Sequence, residues 1–162
     1  MKDSFATLDL EPQGFRALFS ADWIWCDVQA VPGSGEPWQA ITTSEDLASW
    51  ETAWRENGSP ADRSVFLPAL LDNDAIKLLA SWRDGRIVAG CIANRSDDLV
   101  GFSNFFAADD WETELATALA TVSGTFPRRA IVGYEHGKLL NRMIALGFET
   151  VGPLRVWLGP ET

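Results

Sequence analysis

Cysteine and histidine are scarce in this sequence, at two and one. Cys26 and Cys91 stand far apart in apolar settings, which excludes a disulfide framework and predicts two buried thiols in a reducing compartment. His136 alone cannot build a histidine-rich metal site, and no metal is expected. Positive charge is also short: 13 Lys and Arg face 23 Asp and Glu, for a net charge of −10. That balance excludes a nucleic-acid partner, which needs a basic face to neutralise phosphates. No apolar run approaches the roughly 20 residues that cross a bilayer, so no membrane partner is expected. The N-terminal segment carries Asp3, Asp9, Glu11 and Arg16 where a signal peptide would be apolar, so the expected location is cytoplasmic.

What is present is ordinary globular material in an amount suited to one domain. Apolar residues make up 46% and charged residues 22% of 162, and the expectation is a single domain over 1–162. Eight tryptophans are spread along the chain and read as core and wall residues. The charge is uneven. Arg128, Arg129, Lys138, Arg142 and Arg155 outnumber Glu135 and Glu149 between residues 125 and 157, and the rest of the chain is strongly acidic. An anionic ligand suits the first region and a cationic one suits the remainder, unless the charge only solubilises.

The hydrophobic period changes along the chain. Val31–Pro37 reads as a surface loop. Thr43, with Asp46 three residues on, caps a helix through Leu47, Trp50 and Trp54 that Asn57-Gly58 stops. Ser59-Pro60 opens a short second helix that must end before Pro68. Three strands then form a meander: Ile76 to Trp82, Arg86 to Asn94 after the Asp84-Gly85 turn, and Leu99 to Phe106 after Ser96-Asp97-Asp98. Both faces of the later strands are apolar and need helices to cover them. Asp109, with Glu112, caps a helix whose buried stripe is Trp111, Leu115, Ala118, Leu119 and Val122, ended by Gly124. A short strand Ala130 to Tyr134, an amphipathic helix over 137–146 closed by Gly147, and a strand Phe148 to Leu158, bent or bulged at Gly152-Pro153, complete the chain. The predicted class is α/β with a mixed sheet: two helices, a β-meander, then α-β-α-β.

That order, together with the ending Leu146-Gly-Phe-Glu-Thr-Val-Gly-Pro-Leu-Arg-Val-Trp-Leu158, resembles the GNAT superfamily of N-acetyltransferases. The resemblance covers residues 76–158, and 38–70 by helix order. It implies transfer of an acyl group from acetyl-CoA or another acyl-CoA to an amine, with the donor in a splay between Leu99–Phe106 and Ala130–Tyr134. The family's pyrophosphate loop, Gln/Arg-x-x-Gly-x-Gly/Ala, precedes the next helix. Here Phe105-Phe-Ala-Ala-Asp-Asp-Trp-Glu-Thr-Glu114 has no glycine, arginine or glutamine and four carboxylates. The family's proton-donating tyrosine, four residues before the helix-ending glycine, falls on Met143, and its asparagine at the helix start falls on His136.

The polar residues left near the implied donor position become the candidates. Ser103, Asn104 and Phe105 on the third meander strand, and Arg142 toward the phosphates, would hold the donor. Glu135 or His136 would be the base and Tyr134 the acid. Three readings follow. One is an N-acyltransferase acting on a small-molecule amine. Another is a non-catalytic module of the same fold that has lost the acyl-CoA site and keeps a small ligand. The third is a structural protein in which the splayed strands or Trp23-Ile24-Trp25 pair between chains as a homodimer.

Overall fold

A computed structural model describes residues 1–27, 36, 38–58 and 63–160. The chain falls into two compact units. The first comprises residues 1–26 and 132–162, the second residues 27–131. The predicted α/β class holds, and three α-helices lie among the described residues.

In the second unit, β3 (Gln39–Ala40), β4 (Ile76–Arg83), β5 (Arg86–Ser96) and β6 (Leu99–Ala107) lie in the order β6-β5-β4-β3, each pair antiparallel. This is the predicted meander, extended by the short strand β3. Its tight turns use positive φ at Asp84, Gly85 and Asp97, as a right-twisted hairpin requires. Helix α1 (Ser44–Glu56) starts as predicted, with the Thr43 side chain accepting from the Asp46 N–H at 3.1 Å. Helix α2 (Trp111–Thr125) buries Leu115, Ala118, Leu119 and Val122 completely. It runs past Gly124 to Thr125, where the buried Phe126 serves as C-cap and replaces the expected glycine stop.

The loop expected at Val31–Pro37 (except Glu36) and the predicted start of a helix at Ser59-Pro60 lie outside the described residues. Residues 63–67 are not helical, and one short 3-10 turn follows at Pro68–Asp72. The cause is Glu51, a buried carboxylate on α1. It accepts the Val65 N–H at 2.6 Å and the Ser64 hydroxyl at 2.7 Å, and pairs with Arg55 at 2.9 Å. Those backbone and side-chain bonds draw the segment out along α1. Burial alone would raise the Glu51 carboxyl, but these three donors hold it below the usual range.

The first unit contains β1 (Lys2–Asp3), β2 (Arg16–Cys26), the end of β7 (Ala130–Glu135), α3 (Gly137–Ala145) and β8 (Glu149–Leu158), with strand order β1-β8-β2-β7. Strand β8 is antiparallel to both β1 and β2. The bend expected at Gly152-Pro153 is a bulge: Trp23 faces Gly152 and Ile24 faces Thr150, leaving Val151 over and exposed. Strands β1 and β2 were not legible as strands, because a second bulge at Leu18 breaks the alternation of β2. Helix α3 closes on Gly147 at φ 98°, with the Phe148 N–H donating to the Met143 carbonyl at 3.1 Å. Both cysteines are buried, and burial pushes the Cys91 thiol far above its usual range.

One close approach fixes the second unit. Gly90 on β5 lies beneath Trp50, and a Cβ there would collide with Trp50 Nε1 and with Phe106 Cζ at 2.6 Å. Gly90→Ala therefore overpacks a rigid aromatic layer and is expected to cost about 1–3 kcal/mol in urea unfolding. A midpoint unchanged from wild type would show that this layer yields freely.

Candidate functional site

Strand β7 carries the predicted catalytic residues in the first unit. Its alternation sends Tyr134 and His136 to one face and Glu135 to the other. On the first face, Trp23 of the neighbouring β2 meets the Tyr134 ring edge-on at 5.4 Å, and Phe19 lies 5.3 Å from the His136 ring. The Lys2 ammonium stands 4.4 Å above the Tyr134 ring centroid, a cation–π contact. Trp23 was legible as a wall residue or as part of a pairing segment, not as a partner of Tyr134, and nothing in the sequence pointed to Lys2 or Phe19. His136 is the N-cap residue of α3, but its side chain makes no cap bond there. Met143 is fully buried, so the position where the family places its tyrosine belongs to the core.

Glu135 is half-buried at the end of β7, and burial pushes its carboxyl up to about 7. Desolvation by burial is the cause of this rise. A carboxyl in that state exchanges its proton near neutral pH, which is the range of a general base or acid.

The predicted donor-binding residues divide between the units. Ser103, Asn104 and Phe105 are in the second. There Ile92 faces Ser103 and Gly90 faces Phe106, so β6 carries one residue more than β5 and bulges. Asn104 sits at the bulge with φ 53°, exposed, and its side-chain amide donates to the Ser103 hydroxyl at 3.2 Å. Bulges of this kind interrupt the ladder and re-aim side chains. Phe105 stacks on Trp38 with ring centroids 6.4 Å apart, and the Trp38 N–H donates to Thr121 of α2. Arg142 is half-buried in the last turn of α3, in the first unit.

The start of α2 departs from the expected cap. The N-cap is Asp110, not Asp109, and it stands in the left-handed region at φ 41° with no side-chain cap bond. In that conformation its carboxylate satisfies none of the helix N–H groups through a cap bond. Of the four acids, Glu114 is buried and bonds Arg83 at 3.3 Å, while Asp109, Asp110 and Glu112 are exposed. A pyrophosphate approaching this helix end meets three solvent-facing carboxylates, so the residues present do not reproduce the family's phosphate loop. Among the described residues no group of three His, Cys, Asp or Glu could hold a metal ion. No described helix is long and apolar enough to cross a membrane.

No protein-family model matches the sequence, and no curated protein matches it. Solved structures do. A conserved protein of unknown function from Staphylococcus epidermidis is similar over 94% of this chain and 66% of its own, at 10% identity and a TM-score of 0.73. A GCN5-related N-acetyltransferase from Kribbella flavida is similar over 94% and 63%, at 14% identity and a TM-score of 0.66. An N-myristoyltransferase from Saccharomyces cerevisiae, solved with bound myristoyl-CoA and inhibitors, is similar over 89% and 50%, at 9% identity and a TM-score of 0.61. The chain thus spans between half and two thirds of the length of these three proteins. At such identities the likeness is one of fold. The chain has the fold of the GCN5-related N-acetyltransferases, as the resemblance implied.

The raised carboxyl of Glu135 has a consequence for stability. Its folded-state value, about 7, exceeds the ordinary 4.5, so the folded chain binds this proton more tightly than the unfolded one. The stabilisation is fully present below the unfolded value and is lost as pH rises toward 7. Wild type should therefore lose urea resistance between pH 4.5 and 7 relative to Glu135→Gln, and the two curves should run parallel above that range. Parallel curves throughout would show that Glu135 ionises as an ordinary surface carboxyl.

Proposed function

We propose that this chain is a divergent acyl-CoA-dependent N-acyltransferase that acylates an amine by direct transfer in a ternary complex. The observation that carries the reading is Glu135, a carboxyl held near neutrality by burial at the end of β7 in a chain with this fold. Perturbed groups of this kind concentrate at catalytic sites. Glu135 takes a proton from the acceptor ammonium, directly or through one water, and frees the amine to attack the thioester carbonyl. The C–N bond forms, the C–S bond breaks, the departing thiolate takes the Tyr134 proton, and the proton that the new amide nitrogen sheds passes through water to the tyrosinate. Base and acid leave β7 on opposite faces, so both act at the strand's end, where the chain turns into α3. His136 shares the face of Tyr134 and positions the acceptor. Arg142, in the last turn of α3 within the same unit, supplies a charge for the donor's phosphates.

The acidic start of α2 favours a second reading, a binding module of the same fold without turnover. The two are separated by activity. With acetyl-CoA and a panel of primary amines, kcat/KM should rise with pH through about 7 and level off above it, because the base must be deprotonated. Glu135→Gln should remove that limb and lower turnover about 10²–10⁴-fold, and Tyr134→Phe should cost a similar factor while keeping the ring in place. Loss of the limb in His136→Gln instead would move the base to His136. Acylation of no amine, with a ligand still bound, would establish the binding module.

A further inference from the structure

One face of helix α1 in the second unit runs from the buried Ala53 of the core out to the exposed Glu45 and Glu56. Glu45, Ala53 and Glu56 on that face look across a cavity of about 630 Å³ to Trp82, Arg86 and Ile87 on the β4–β5 hairpin. The volume is that of a small-molecule site. The hairpin is shaped toward it. Ser81 pairs with Ala89 but Trp82 pairs with Ile87, so Val88 is the extra residue of a bulge that turns the Trp82–Ile87 pair onto the cavity wall. Ser49 and Thr52, also on this helix face, bond back to helix carbonyls at 3.1 and 2.9 Å. The recognising charge therefore comes from the two glutamates.

Their placement selects the ligand. Glu45 and Glu56 are eleven residues apart on one helical stripe, which separates their Cα atoms by about 16 Å along the axis. Glu45 suits the first turn of α1, whereas Glu56 in the last turn opposes the helix dipole. Arg55 beside it is engaged with Glu51 at 2.9 Å. An exposed carboxylate at each end of a wall lined by Trp82 and Ile87 matches a cation at each end of an aliphatic body.

We infer that this cavity binds a linear polyamine, with terminal ammonium groups at Glu45 and Glu56 and its alkyl chain along Trp82 and Ile87. The site lies wholly in the second unit, and the inference does not depend on acyl transfer. Calorimetric titration of the full chain with spermidine at low salt tests it, with 1,4-diaminobutane as a ligand too short to span both acids. Spermidine should bind, and more tightly than diaminobutane by about fivefold or more. Glu45→Gln and Glu56→Gln should each weaken binding about two- to fivefold, as exposed ion pairs do, and the pair together about tenfold. Arg86→Gln removes a base from the wall and should tighten binding. Asp9→Asn with Glu11→Gln, exposed acids of the first unit, should leave affinity within twofold and serves as the control for an acidic surface. No binding, equal affinity for both amines, equal loss in the control, or weaker binding by Arg86→Gln would each overturn the inference. Circular dichroism of both glutamine variants confirms that α1 is intact.

Discussion

Trp50 is the constraint around which the second unit is built. Fully buried, it donates its indole N–H to the Leu79 carbonyl at 3.0 Å and meets Phe66 and Phe106 edge-on, each at 5.2 Å. It therefore ties α1 to β4 through a hydrogen bond, to β6 through Phe106, and to the segment before the 3-10 turn through Phe66. The contact is possible because β5 presents Gly90 beneath the ring. A buried indole that kept its polar atom unpaired would carry a desolvation cost, and the strand carbonyl removes it. Everything placed by α1 depends on this seat, including the stripe of Glu45 and Glu56 and the Glu51 carboxylate that holds Val65.

Much of this was legible because helix and turn chemistry is local. Thr43 with Asp46, Asp84-Gly85 and Gly147 each specify a backbone geometry within a few residues, and each stands where the pattern put it. The stripe Leu115, Ala118, Leu119 and Val122 was legible for the same reason, since helical period marks the buried face directly. What failed depends on partners distant in sequence. Strand β2 acquires its identity from β8, more than a hundred residues away, and a bulge at Leu18 breaks its alternation. The helix expected after Ser59-Pro60 gave way over residues 63–67 because Glu51 captures the Val65 N–H. Local propensity has no access to either interaction.

The candidate site divides along the same line. The chain pattern could place Tyr134, Glu135 and His136 at a strand end and Ser103, Asn104 and Phe105 on β6. It could not show that alternation parts Glu135 from its neighbours, that burial lifts its carboxyl, or that Asn104 adopts a positive φ within a bulge. Lys2 above Tyr134 was equally hidden, since residue 2 reaches that ring only through pairing of β1 with β8. The acids opening α2 were visible from the start. The structure adds that Asp110 makes no cap bond to the helix amides, so its charge is not absorbed by capping.

Whether this chain takes acyl-CoA is therefore an electrostatic question at one helix end. Calorimetric titration of acetyl-CoA into wild type and into Asp109→Asn with Asp110→Asn answers it most directly. Asparagine tolerates the left-handed conformation of residue 110, so α2 keeps its start while two negative charges disappear. The account predicts saturable binding by wild type and tighter binding by the double variant. Absence of binding in both proteins, or weaker binding in the variant, would contradict it.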